Sequence, residues 1–103
     1  MIKVSVMYPA GEGKTFDMDY YCNKHMQLAR GLVGSALKKM EVEQGLSGGE
    51  PGSAPIYAAM GHLFFDSMDD FAASFPSHMD TLVADIPNYT NISPVIQISE
   101  VKI

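Results

Sequence analysis

The chain has 103 residues, 47% of them apolar and 18% charged, with 7 basic against 12 acidic side chains and a formal charge of −5. A chain this short supplies one hydrophobic core, read here as a single domain over residues 1–103, and without three consecutive basic residues it lacks the clustered Lys and Arg that grip a phosphate backbone, which sets nucleic acid aside. No apolar stretch approaches the ~20 residues of a membrane-spanning helix, the N-terminus lacks the order of a signal peptide, and the single cysteine, Cys22, cannot form an internal disulfide, so a soluble cytoplasmic protein without a membrane partner is expected.

Ile2 to Tyr8 alternates Ile2, Val4, Val6 and Tyr8 against Lys3, Ser5 and Met7, the period of a strand with a buried face. Pro9 to Gly13 breaks it. Thr15 or Asp17 can cap the next segment, and Asp17 to Val33 carries a helical period. At 100° per residue Met18, Tyr21, Cys22, His25, Ala29, Leu32 and Val33 fall on one stripe, while Asn23, Lys24, Gln27 and Arg30 face away. The stripe is apolar with a histidine at its middle.

Gly34 ends the helix, and Leu37 to Gln44 reads as a second strand. Gly45 to Pro55 is too rich in turn formers for regular structure. Ile56 to Phe65 is a third strand, with Tyr57, Ala59, Leu63 and Phe65 on one face and Ala58, Met60, His62 and Phe64 on the other. Ser67 caps a helix through Met68, Phe71, Ala72 and Phe75; Pro76 interrupts it, and Met79, Leu82, Val83 and Ile86 continue to Pro87. Pro94 to Ile103 is a fourth strand. The order strand, helix, strand, strand, helix, strand is the split βαβ arrangement of an α+β, ferredoxin-like fold, βαββαβ, a four-stranded antiparallel sheet with its helices on one face. Strands three and four read as apolar on both faces, so the face without helices needs a cover, which a homodimer through the open sheet faces supplies. An apolar ligand cleft is the alternative use of such a face.

Several motifs lead nowhere. Gly11-Glu-Gly-Lys-Thr15 invites a phosphate-loop reading, but Tyr8 stands where that loop needs its first glycine. Asn88-Tyr-Thr90 and Asn91-Ile-Ser93 match the glycosylation pattern without a secretory signal. Cys22 and His25 share a helix face, yet no further ligands at matching spacing support a metal site, and none is assigned. Tyr21 and His25, one helical turn apart and both aimed at the sheet, are the stronger lead. A buried imidazole and phenol need polar partners or a cavity. One reading ties the histidine to a tyrosine or a backbone carbonyl as core structure; the other has it move a proton on a molecule bound in an apolar pocket.

Phe16-Asp17, Tyr20-Tyr21 and His25-Met26, then Phe64-Phe65-Asp66-Ser67 and Asp85-Ile-Pro-Asn-Tyr-Thr90, make the chain from about Ile2 to Val101 resemble the EthD family of the dimeric α+β barrel superfamily. The resemblance implies a ferredoxin-like subunit, a homodimer with sheets packed face to face, and a ligand cavity between sheet and helices. By residue, it implies Tyr21, His25 and Asp85 as the catalytic group, with His25 the acid or base oriented by Asp85 or Tyr21. Met18, Cys22, Leu28, Ala29, His62 and Tyr89 are expected around a small, flat, apolar substrate. Asp85 also reads as a turn residue bonding the backbone near Pro87, and His62 fits either the cavity or the dimer interface. The function implied is oxidoreductase chemistry without metal or other cofactor in degradative or secondary metabolism. The alternatives are a non-catalytic binder that holds a hydrophobic metabolite for a partner oxygenase, a ring isomerase or decarboxylase, and a structural dimer whose buried His and Tyr satisfy each other.

Overall fold

A computed structural model describes all residues 1–103. Strand β1 (Ile2–Pro9) leads to a long helix, α1 (residues 18–33), then β2 (Lys39–Gln44), β3 (Tyr57–Phe65), α2 (Met68–Ser74), α3 (Met79–Asp85) and β4 (Val95–Glu100). The strands form one antiparallel sheet in the order β2-β3-β1-β4. This is the expected βαββαβ fold. The segment between β2 and β3 holds no helix or strand apart from its ends, and β2 begins at Lys39, two residues later than the alternation suggests.

Local chemistry sets the helix limits. The Asp17 carboxylate accepts the Tyr20 N–H at 3.0 Å and opens α1, and Gly34, at φ 74°, closes it in a conformation that a side chain would strain. Ser67 accepts the Asp70 N–H at 3.1 Å and opens α2. Inside α1 the period changes: Met18–Tyr20 is α-helical, Tyr21–His25 makes a π turn in which the Met26 N–H reaches the Tyr21 carbonyl, and Met26–Val33 is α-helical again. A π turn spreads five residues where the α-helix places fewer, so a uniform 100° wheel misplaces one side of it.

Register assigns the faces. Val4 pairs with Leu63 and Ile98, and Val6 with Gly61 and Ile96, so these residues look toward the helices together with Tyr8 and Ala59. The core cluster of Val4, Tyr8, Leu63 and Phe65 against Tyr21, Met26, Ala29, Phe71, Phe75 and Leu82 lies on that side. Lys3, Ser5 and Met7 share the opposite face with Met60, His62 and Phe64. The apolar-on-both-faces reading holds for β3 but fails for β4, whose open side is Val95, Gln97 and Ser99. Its isoleucines, Ile96 and Ile98, lie on the helix side at the sheet edge, where the helices stop short and leave them 41% and 43% exposed. Part of the apolar surplus therefore sits along an edge strand.

Candidate active site

Three segments meet over the centre of the sheet. The π turn carries Tyr21 and His25, whose rings stack at 5.4 Å between centroids and 14° between planes. The end of α3 supplies Asp85, and the segment after it supplies Tyr89. Backbone pairing pins them together: the Asp17 N–H donates to the Tyr89 carbonyl at 2.7 Å, Phe16 bridges Thr90, and the Asn91 side chain bonds both Thr15 N–H and the Gly13 carbonyl at 2.9 Å.

His25 is buried at 7% exposure, and its Nδ1 lies 2.9 Å from Asp85 Oδ2. The other Asp85 oxygen accepts from the Tyr20 hydroxyl at 2.8 Å and from Asn88 Nδ2 at 2.9 Å. Burial pushes the Asp85 carboxyl up, but the bonds from Asn88, His25 and Tyr20 outweigh it and hold the group below the ordinary carboxylate range. An ionised carboxylate only accepts, so Nδ1 of His25 carries the hydrogen, and in the neutral imidazole Nε2 holds the lone pair. Tyr89 Oη lies 3.4 Å from Nε2, a long contact, and 2.7 Å from Tyr8 Oη. Burial raises the pKa of all three interior phenols, Tyr8, Tyr21 and Tyr89, so they stay protonated. The proton order is then Tyr8 to Tyr89 to His25 Nε2, and His25 Nδ1 to Asp85.

Between α1, α3 and the sheet runs an apolar cavity. The cavity holds about 60 Å³. His25, Tyr21, Tyr8, Met26, Ala29 and Gly61 line the inner end; Val83, Ile86, Pro94 and Ile96 form the mouth. No charged side chain lines it. Gly61 is fixed by Tyr21: a Cβ on the strand there would collide with the tyrosine hydroxyl and approach its Cζ to 3.1 Å.

The structure brings His25, Tyr21, Asp85, Tyr89 and Ala29 into one region, with Asp85 and Tyr89 behind the histidine and not on the cavity wall. Met18, Cys22 and Leu28 are absent from the lining: Met18 packs on the core and Cys22 is half-buried, because the π turn rotates the first part of α1 away from the position a uniform wheel assigns, and Leu28, in the regular helix after it, packs on the core beside the cavity-lining Ala29. His62 is across the sheet. It bonds Ser5 Oγ through Nδ1 at 2.9 Å and Glu43 through Nε2 at 3.1 Å on the face without helices, because alternation along β3 gives the cavity side to its neighbours Gly61 and Leu63. Sequence reasoning passed over Tyr8, Tyr20, Asn88 and Gly61 as site residues. Tyr8 and Gly61 carried only a strand signal, and Tyr20 reaches Asp85 across 65 positions that no local pattern connects. No group of three or more His, Cys, Asp or Glu side chains is placed to hold a metal ion, and no helix is long and apolar enough to cross a membrane.

The model of the EthD domain matches residues 10–93. The chain belongs to the EthD family. This EthD domain is similar to the crystal structure of an EthD-like protein from Ralstonia eutropha, at 45% identity and a TM-score of 0.92, over 99% of this chain and 92% of that one. An EthD family protein from Bacillus halodurans shares the fold at 19% identity and a TM-score of 0.73, with 99% of each chain covered. A dimeric protein of unknown function and ferredoxin-like fold from Bacteroides fragilis aligns at 17% identity and a TM-score of 0.52, over 97% of this chain and 95% of that one. No curated protein matches the sequence.

Proposed function

We propose that this EthD domain is an acid/base enzyme acting on a small apolar molecule, with His25 Nε2 as the group that takes and returns a proton. The observation that carries the reading is the double environment of His25: a carboxylate at 2.9 Å on Nδ1 and an apolar cavity at the ring's other side. Asp85 fixes the tautomer and stabilises the imidazolium that forms when Nε2 accepts a proton, the role a carboxylate plays behind any catalytic histidine. The long Tyr89 contact is weak enough for a substrate C–H or O–H to replace it. Both the oxidoreductase chemistry that the family resemblance implies and an isomerisation can begin with this same proton removal.

The test is proton exchange in D2O, followed by NMR, on a panel of enolisable and phenolic compounds. The wild type is expected to exchange at least one, and His25→Gln to lose about 10²- to 10⁴-fold of that rate while keeping affinity. Exchange at the wild-type rate in His25→Gln would end the acid/base reading. A second reading, a network that only holds the fold together, is favoured by the cavity volume of about 60 Å³, below the ~300 Å³ at which small-molecule sites begin. It predicts neither binding nor exchange with any compound. The subunit is further proposed to pair with a second copy, a reading supported by the uncovered apolar residues of the sheet and by the dimeric ferredoxin-like neighbour.

A further inference from the structure

The two oxygens of Asp85 do different work. His25 Nδ1 donates to Oδ2 at 2.9 Å, while Oδ1 accepts from the Tyr20 hydroxyl at 2.8 Å and from Asn88 Nδ2 at 2.9 Å. One carboxylate thus serves three donors, and only His25 among them also lines the cavity. A partly buried carboxylate with His25 as its sole partner would place its full charge on the ring, favour the imidazolium and take away the lone pair that a base needs. Two further donors divide that charge. They also hold the plane of the carboxylate, so that Oδ2 meets the ring.

Tyr20 reaches this position because of the π turn. Counted back from His25 it is five positions away, and five α-helical steps would turn its side chain about 140° from the histidine. The wider turn over Tyr21–His25 takes up an extra residue and draws Tyr20 back, so two consecutive tyrosines serve one imidazole. Tyr21 stacks on the ring at 5.4 Å, and Tyr20 reaches the carboxylate behind it while its own ring stacks on Tyr89 at 6.0 Å and 22°. Asn88 comes from the other side of the site, in the short turn after α3, three residues beyond Asp85.

We infer that Tyr20 is a positioning residue which, with Asn88, weakens the pull of Asp85 on the imidazole and so sets how readily His25 holds a proton. Neither side chain lines the cavity, so both act only through the carboxylate. The use of this control in catalysis rests on the acid/base reading of His25. The control itself is a property of the free protein, and its sign is fixed. Removing either donor leaves more of the carboxylate charge to the ring, which stabilises the imidazolium and raises the pH at which His25 gives up its proton.

The experiment is an NMR pH titration of the His25 ring in the unliganded wild type, Tyr20→Phe and Asn88→Ala, each repeated in an Asp85→Asn background, with His25→Gln identifying the signal among the three histidines. Phenylalanine keeps a ring against Tyr89 and removes only the donor. The midpoint is expected to rise by about half a pH unit in each single variant, and neither substitution is expected to move it once Asp85 is an amide. A midpoint that stays or falls in either folded variant overturns the inference. So does a rise of equal size without the carboxylate, which would mean that the site had merely loosened. Deuterium exchange on the compound panel answers separately for the acid/base reading. Exchange intact in His25→Gln removes that reading and leaves a raised midpoint in Tyr20→Phe standing, whereas exchange lost in His25→Gln with an unmoved midpoint does the reverse.

Discussion

Asp85 decides the state of its neighbours, because it is the acceptor for His25, Tyr20 and Asn88 at once. Those three bonds act against the effect of burial and keep its carboxyl below the ordinary range, which gives stability a definite pH dependence. A folded-state pKa below the unfolded value of about 3.9 means a contribution fully present above that value and lost as the pH falls through the lower folded one. Wild-type protein should therefore lose melting temperature more steeply below about pH 4 than Asp85→Asn does. Parallel curves for the two proteins across that range would show that the carboxylate is not held by this network. At neutral pH the same substitution turns an obligate acceptor into an amide that can present either end, so His25 loses its fixed tautomer. Tyr20 supports the arrangement from a half-buried position, its phenol made harder to ionise by the Asp85 hydrogen bond and so retained as a donor.

The π turn and the strand beneath it form the next unit up. Five residues, Tyr21 to His25, set both the stacked pair and the phase of the helix before it, and Gly61 gives the pair its floor. Gly61→Ala should destabilise the fold by about 1–3 kcal/mol, since the new Cβ meets the Tyr21 hydroxyl, whereas in a Tyr21→Phe background the penalty should shrink as the oxygen is gone. Urea denaturation of the four proteins measures the difference, and a penalty equal in both backgrounds would mean that the strand backbone, not the tyrosine, resists the methyl. Much of this level was legible in the residues. Alternation in Ile2 to Tyr8 and in Ile56 to Phe65, the Asp17 and Ser67 caps and the Gly34 stop reproduce the elements, and the Tyr21–His25 spacing anticipates the stacked pair over the sheet. What stayed hidden is non-local. No periodicity announces a π turn, so a uniform wheel places Met18 and Cys22 on one face with His25, and alternation alone leaves the side of His62 open, which its register with Ser5 fixes. The family resemblance, and not the helical pattern, put Asp85 beside His25.

For the molecule as a whole, the uncovered surface is divided. One part is the face without helices, where Lys3 and Lys39 lie over the Phe64 ring at 5.7 and 5.2 Å and Ser5, His62 and Glu43 form a hydrogen-bonded row. The other is the edge of β4, with Ile96 and Ile98 open on the helix side next to the mouth of the cavity. A surface of this kind, with apolar residues left uncovered, is what a second copy of the chain would bury. Sedimentation equilibrium at micromolar concentration should give twice 11.2 kDa, and a single species of 11.2 kDa would remove the dimer. The cluster around His25 also has a consequence for how the protein comes into being. His25 and Asp85 are 60 positions apart, Tyr20 and Asp85 65, Tyr8 and Tyr89 81. As the chain leaves the ribosome, the histidine emerges long before the carboxylate and the Tyr89 phenol that bond it, so a nascent or C-terminally clipped chain carries the helix and its histidine without the partners that fix the ring.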